Sequence, residues 1–267
     1  NAIFLIISDQ DRKKFTTTVN DEIIDIPVAR SFEGWGKIKF TLIGPIVCDY
    51  DKQIFDTCLK LHHEKGFIGL KLTTNLSEIW KAFGNNSKIS GSAINSIKRS
   101  LQRLSQISIT AKSTENKSFW VGRIIDGLKY IETNNKKGSK IEVRFNPDMI
   151  PMYLNGSYST YSFPILQKLS AYPRRIIEFM GTHEGLERKM SLNKWREIIG
   201  VNPSVENKSF KRRLKEAMEE LKLHSLIDEA EFTKSTTLTS ELLYLKVNPT
   251  IFNFPVAPPC NYINSST

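Results

Sequence analysis

Three observations in the 267-residue sequence predict an α+β fold built from two tandem modules. A short phrase occurs twice, as Ser96-Ile97-Lys98-Arg99-Ser100-Leu101 and as Ser209-Phe210-Lys211-Arg212-Arg213-Leu214, offset by 113 residues. Upstream of each copy stand a Trp and then a Gly, Trp80 and Gly84 in the first, Trp195 and Gly200 in the second. Downstream, each copy closes with a strand-like run ending in Asn-Pro, at Asn146-Pro147 and Asn248-Pro249, where the offset has dropped to 102.

Residues 1–26 form an N-terminal segment with little pattern, and the first domain is expected over 27–150. Lys37 to Leu42 alternates polar with apolar residues, the mark of a half-buried strand, and Gly44-Pro45 ends it. Asp51 to Leu61 reads as a helix, because Ile54, Phe55, Cys58 and Leu59 recur at spacings of three and four. Leu70 to Leu72 is a short strand. Asn75 with Glu78 three residues on resembles a capping box for a second helix striped by Leu76, Ile79, Trp80 and Phe83. Ser90 to Gln106 is the third helix, with Ile94, Ile97, Leu101 and Leu104 on its core face. Strand-rich stretches follow at Ile107–Ala111 and Ser118–Ile131, then a polar loop and a strand over Lys140–Phe145.

A linker is expected over 151–164 and a second domain over 165–254. The order repeats there. A helix starts near Pro173, a second covers Ser191–Ile199, and a third opens at Ser204 or Asn207 with Phe210, Leu214, Ala217, Met218 and Leu221 as its core stripe. A hairpin of Leu226–Phe232 and Leu238–Val247 closes the module, and a Pro-rich tail covers 255–267. Helix, short strand, helix, helix and hairpin is the element order of a winged helix, so the chain is expected to hold two winged-helix domains in tandem. The 11-residue difference between the offsets is assigned to a longer hairpin loop in the first wing.

Lys and Arg number 38 against 28 Asp and Glu, a net charge of +10 that favours a polyanionic partner. No apolar run approaches the roughly 20 residues that span a bilayer. Cys48, Cys58 and Cys260 fit neither a disulfide framework nor a metal pair, which suggests a reducing, cytoplasmic compartment.

The charge concentrates on the third helices. Lys208, Lys211, Arg212 and Lys215 share one face, where mutual repulsion would be relieved by a phosphate backbone. The first-module helix offers Ser92, Asn95, Lys98, Arg99 and Gln102, mixing cations with amides that can bond base edges. Asn207 at the helix start, Lys136 and Lys137 in the first wing, and Lys234 in the second complete the candidate DNA contacts. Trp80 and Trp195 are expected in the core. No enzyme is expected: the chain lacks a Gly-x-x-x-x-Gly-Lys-Ser/Thr loop, and the adjacent His62 and His63 point to different helix faces. Asp126 and Asp148 read as turn residues. Neither cofactor nor metal is expected.

The run Lys168-Leu169-Ser170-Ala171-Tyr172-Pro173-Arg174-Arg175, with Gly181-Thr182-His183-Glu184, Met190-Ser191-Leu192 and Glu216-Ala217-Met218-Glu219-Glu220-Leu221, resembles plasmid replication initiators of the TrfA type, among the iteron-binding Rep proteins. Ser92–Ile109 and Arg144–Met149 match more loosely. The resemblance implies two winged-helix domains that bind directly repeated sites (iterons) at an origin. It also implies partnership with a host initiator and helicase, and a dimer–monomer switch seen in several members. Contacts carried over by position are Asn95, Lys98, Arg99, Lys208, Lys211 and Arg212. A Gln-Leu-x-Leu-Phe clamp-binding motif is absent from the sequence. The alternative is a winged-helix transcriptional repressor without replication activity.

Overall fold

A computed structural model of the protein describes residues 12–19, 22–33, 38–66, 70–113, 115, 118–131, 140–149, 163–181, 186–202, 204–234 and 241–252. The chain divides into two units, residues 1–149 with Gly200–Asn202, and residues 150–199 with 203–267. Most of the expected linker 151–164, and the tail 255–267, lie outside the described residues.

The first unit begins with an antiparallel pair, β1 (Thr16–Val19) and β2 (Glu22–Asp25), followed by β3 (Val28–Glu33) and β4 (Ile38–Gly44). Helix α1 (Asp49–Glu64) starts where the Cys48 backbone N–H donates to Asp51 Oδ2 at 2.8 Å. Strand β5 (Lys71–Asn75) runs straight into α2 (Leu76–Ala82) through the expected cap. Asn75 Oδ1 accepts from the Glu78 N–H at 2.9 Å, and Asn75 Nδ2 donates to Glu78 Oε1 at 3.0 Å. Gly84, at φ 89°, takes the left-handed conformation that ends this helix. Ser90 Oγ caps α3 (Gly91–Gln106), whose core face is Ile97, Ser100, Leu101 and Leu104.

After α3 the chain forms β6 (Ser108–Ser113), β7 (Phe119–Arg123), β8 (Ile125–Ile131) and β9 (Lys140–Phe145). These four strands serve two sheets. One has the order β5-β9-β8 and is the wing sheet; the other has the order β3-β4-β6-β7. The sequence pattern reads as one stretch over 118–131, and the structure divides it at Ile124. Ile124 and Ile125 are both buried, at 2% and 0% exposure. Neighbours in one strand face opposite sides, so two successive buried residues accompany a change of sheet.

The second unit holds α4 (Phe163–Lys168), α5 (Ala171–Gly181), β10 (Glu187–Ser191), α6 (Leu192–Ile199), α7 (Asn207–Leu223), β11 (Ile227–Lys234) and β12 (Glu241–Val247). Its sheet has the order β10-β12-β11. Pro173 lies in the first turn of α5, where a missing N–H costs nothing. Trp195 is fully buried and packs edge-on against Phe179 with ring centroids 5.7 Å apart.

The two modules correspond beyond the repeated phrase. Asp126 and Asp228 each occupy a β-bulge at the start of the distal wing strand, between Ile125 and Gly127 or Ile227 and Glu229. Asn146 and Asn248 each take a backbone bond back to the residue before that strand, and each side chain accepts from the N–H two residues on, at 2.8 and 3.0 Å. The Asn-Pro pairs thus close both modules in the same way.

Three expectations are corrected. The extra length of the first module is not in the wing loop: residues 107–124 separate α3 from β8, whereas only 224–226 separate α7 from β11. The insertion is the β6–β7 hairpin, which completes a second sheet. The register of the repeated phrase also shifts by one helical turn. The buried set Ile97, Ser100, Leu101, Leu104 matches Leu214, Ala217, Met218, Leu221, an offset of 117 rather than 113. At 113, buried Ser100 would correspond to exposed Arg213. Upstream the offset is 116, which pairs Gly84 with Gly200 and sets buried Ile79, not Trp80, opposite Trp195. Trp80 is half-buried rather than core.

Candidate nucleic-acid interface

The third helix of each module is held by its neighbours at both ends. At the entry, Trp80 Nε1 donates to the Ser87 carbonyl at 3.0 Å. Arg196, 116 residues further on, donates to the Val205 carbonyl at 2.6 Å and to Asn207 Oδ1 at 2.8 Å. Its guanidinium also lies 4.7 Å from the Phe210 ring centroid. Asn207, a candidate contact, is therefore part of the helix anchor.

Further along, Arg103 is buried and bonds Asp51 at the start of α1 through Nη2 at 2.6 Å and Nε at 3.2 Å. Burial alone would lower the Arg103 pKa; the Asp51 carboxylate outweighs it and holds the pKa above its ordinary value. At the corresponding place in α7, Glu220 accepts from the Ser170 N–H and hydroxyl, both at 2.6 Å. The Glu78 cap is charged as well. Burial pushes its pKa up, but hydrogen bonds from Lys65, Thr74 and Asn75, with the Lys65 charge, hold it below the usual carboxylate range.

On α3 the candidates Ser92, Asn95 and Gln102 are exposed, while Lys98 and Arg99 are half-buried. Lys98 Nζ lies 5.4 Å from the centroid of the Tyr130 ring on β8. The Tyr130 hydroxyl donates to the Lys98 carbonyl at 3.2 Å, and burial raises its pKa, which keeps it a donor. On α7, Asn207, Lys208, Arg212 and Lys215 are exposed and Lys211 is half-buried. The cations there are not left to repel one another, as the spacing alone suggested. Lys211 pairs with Glu241 at the start of β12, and Arg212 donates to Glu216 at 2.5 Å. Lys215 Nζ lies 5.7 Å from the Phe232 ring centroid on β11. Lys234 ends β11, exposed, with Glu241 as its cross-strand partner. Lys136 and Lys137 lie outside the described residues.

The structure therefore brings Lys211, Lys215 and Lys234 to the α7–wing junction, while Lys208 and Arg212 are exposed on α7. In α3 the charge sits later: Gly91, Ser92, Ile94 and Asn95 lie within the first five residues, and Lys98 and Arg99 stand at the middle of the helix. Sequence reasoning missed Arg103, Arg196, Tyr130, Phe232 and Glu241. Tyr130 and Phe232 were within reach, since they share the 102-residue offset of the Asn-Pro pairs.

Other candidates recede. His62 is buried against the Phe145 ring, centroids 5.2 Å apart, while His63 is exposed. Asp148 Oδ2 accepts from Trp120 Nε1 at 2.7 Å. Burial pushes the Cys58 thiol up to about 12 and the Cys48 thiol to about 11. No cluster of metal-ligating side chains occurs among the described residues, and no helix among them is long and apolar enough to cross a membrane.

Two helix-plus-wing modules in series define a tandem winged-helix protein. Residues 49–172 match the family described as Initiator Replication protein, WH1. Over most of its length the chain is similar in fold to two crystal structures of RctB domains 2 and 3. One has a TM-score of 0.57 at 12% identity, covering 84% of this chain and 92% of that one. The other, of selenomethionine derivatives, has a TM-score of 0.58 at 12% identity, covering 83% and 91%. No curated protein matches the chain.

Proposed function

We propose that the chain is a sequence-specific DNA-binding replication initiator. In this reading it binds repeated duplex sites (iterons) at a plasmid origin, promotes opening, and hands the origin to a host initiator and helicase. The observation that carries the reading is the cationic first half of α7, Lys208 to Arg212, presented beside a wing in a chain whose first module matches the initiator family. The protein acts by binding, with no catalytic step or cofactor of its own, and works in the cytoplasm where the DNA lies. Self-association as a dimer belongs to the same reading.

The two third helices divide the work. Lys208 and Arg212 supply phosphate attraction, which is salt-dependent and largely indifferent to sequence. Asn95 and Gln102 supply amides suited to base edges. Since equivalent positions carry different residues (Asn95 opposite Arg212, Gln102 opposite Glu219), the site has two unlike halves.

Anisotropy titrations of a duplex selected from a randomised pool test this. Lys208→Ala with Arg212→Ala should weaken binding to all sequences alike and reduce the slope of log K against log salt by about 0.9 for each phosphate no longer neutralised. Asn95→Ala should instead relax preference at one base pair, at about 1–3 kcal/mol. Unchanged binding by the double variant would remove α7 from the interface. Supplying the protein in trans to an origin plasmid distinguishes initiation from repression alone.

A further inference from the structure

We propose that Lys98 and Lys215 are positioning residues: each lies over an aromatic ring of the wing and holds the wing against the third helix, rather than contacting a phosphate. The inference rests on the DNA-binding reading only for its effect on affinity. The device itself stands on the protein alone.

Lys98 Nζ stands 5.4 Å from the Tyr130 ring centroid and Lys215 Nζ 5.7 Å from that of Phe232, both within the roughly 6 Å over which a cation is attracted to a ring face. The pairs are equivalent. The lysines are related by the 117-residue offset that aligns the buried faces of the helices, and the rings by the 102-residue offset that aligns the wing bulges. Two unrelated offsets bring the same kind of pair together twice. Tyr in one module and Phe in the other share only the ring, so the ring face rather than the hydroxyl is the common element. In the second module Lys211 and Glu241 add another tie between helix and wing, and the residue at that place in α3 is Ile94. In the first module the Tyr130 hydroxyl, which donates to the Lys98 carbonyl at 3.2 Å, is the additional tie.

A double-mutant cycle on the full chain tests the proposal: Lys215→Met, Phe232→Leu and the pair, with Lys98→Met alone in the first module, because Tyr130→Leu would also remove the hydroxyl bond to the Lys98 carbonyl. Hydrogen exchange of wing amides in the DNA-free protein is the first readout. Each single variant should speed exchange in its own wing about two- to fivefold, the pair should be no faster than either single, and Phe232→Tyr and Lys215→Arg should restore wild-type exchange. The second readout is affinity for the selected duplex. Each single variant should weaken it by a similar two- to fivefold with an unchanged salt slope. Additive effects, no effect of the ring variants, or a slope reduced by about 0.9 with Lys215→Met alone would each overturn the proposal. Should a Leu variant fail to fold, Lys215→Met against Lys215→Arg decides. Should the wild type bind no DNA, the DNA-binding reading fails, and the exchange data still decide the clamp.

Discussion

The third helix of the first module is tied to the start of α1 by a buried guanidinium–carboxylate pair; that of the second is tied to the start of α5 by a carboxylate capping Ser170. Arg103 and Glu220 are equivalent residues at the 117-residue offset, yet they carry opposite charge. The place of the tie follows from the fold: α3 meets the beginning of α1 and α7 the beginning of α5, and the N–H groups at a helix start attract a carboxylate. In the first module the carboxylate is on that helix, as Asp51, and the third helix answers with a cation. In the second the third helix brings the carboxylate itself. The chemistry can be exchanged, but the energies cannot: Asp51 is 0% and Arg103 4% exposed, whereas Ser170 is exposed.

That contrast is open to direct attack. Asp51→Ala leaves a buried guanidinium beside only the more distant Asp25, 3.8 Å away, and should cost the first module about 3–5 kcal/mol in urea unfolding. Arg103→Met combined with Asp51→Leu should recover most of that loss, because the charges then leave together. A cost below about 1 kcal/mol for Asp51→Ala would mean that the pair does not hold α3.

A middle-sized effect is expected in the hairpin that only the first module has. The Trp120 indole lies across Gly122, and a Cβ there would stand 2.1 Å from the ring. Gly122→Ala should push Trp120 off Asp148, shift tryptophan fluorescence, and cost about 1–3 kcal/mol, with exchange in the second module unaltered. Glu220→Ala should have the smallest effect, about 1 kcal/mol, because water can replace it at Ser170. A loss as large as that of Asp51→Ala would erase the distinction between the two ties.

The helices were legible because their signals are local. The third helix was expected over 90–106 and spans Gly91–Gln106; the Asn75–Glu78 cap formed as its residue types imply. The insertion was not legible, since which sheet a strand joins depends on partners far along the chain. Asp126-Gly127 marks a turn beside Ile124, but a turn pair does not say which sheet the strand on either side joins. The register error has a physical cause too. A slip of four residues is about one helical turn and keeps every residue on nearly its former face, so the stripes fit at 113 and at 117. Only small buried residues such as Ser100 and Ala217 separate the two alignments. Lys208, Arg212 and Lys215 are exposed while Lys98, Arg99 and Lys211 are half-buried, and the partners of Lys211 and Lys215 lie on the wing and come into reach only through folding.

The β6–β7 insertion also bears on the order in which the molecule assembles. In the first module β4 pairs with β6 around all three helices, Ile43 meeting Ser108, and β5 pairs with β9, Asn75 meeting Lys140. In the second module one such long closure suffices, Ser191 meeting Leu242 in the β10–β12 pair. Each distant pairing has to be found before its contacts can reward the lost chain entropy. The module with two interleaved closures is therefore expected to fold more slowly than the α7 module, which has one.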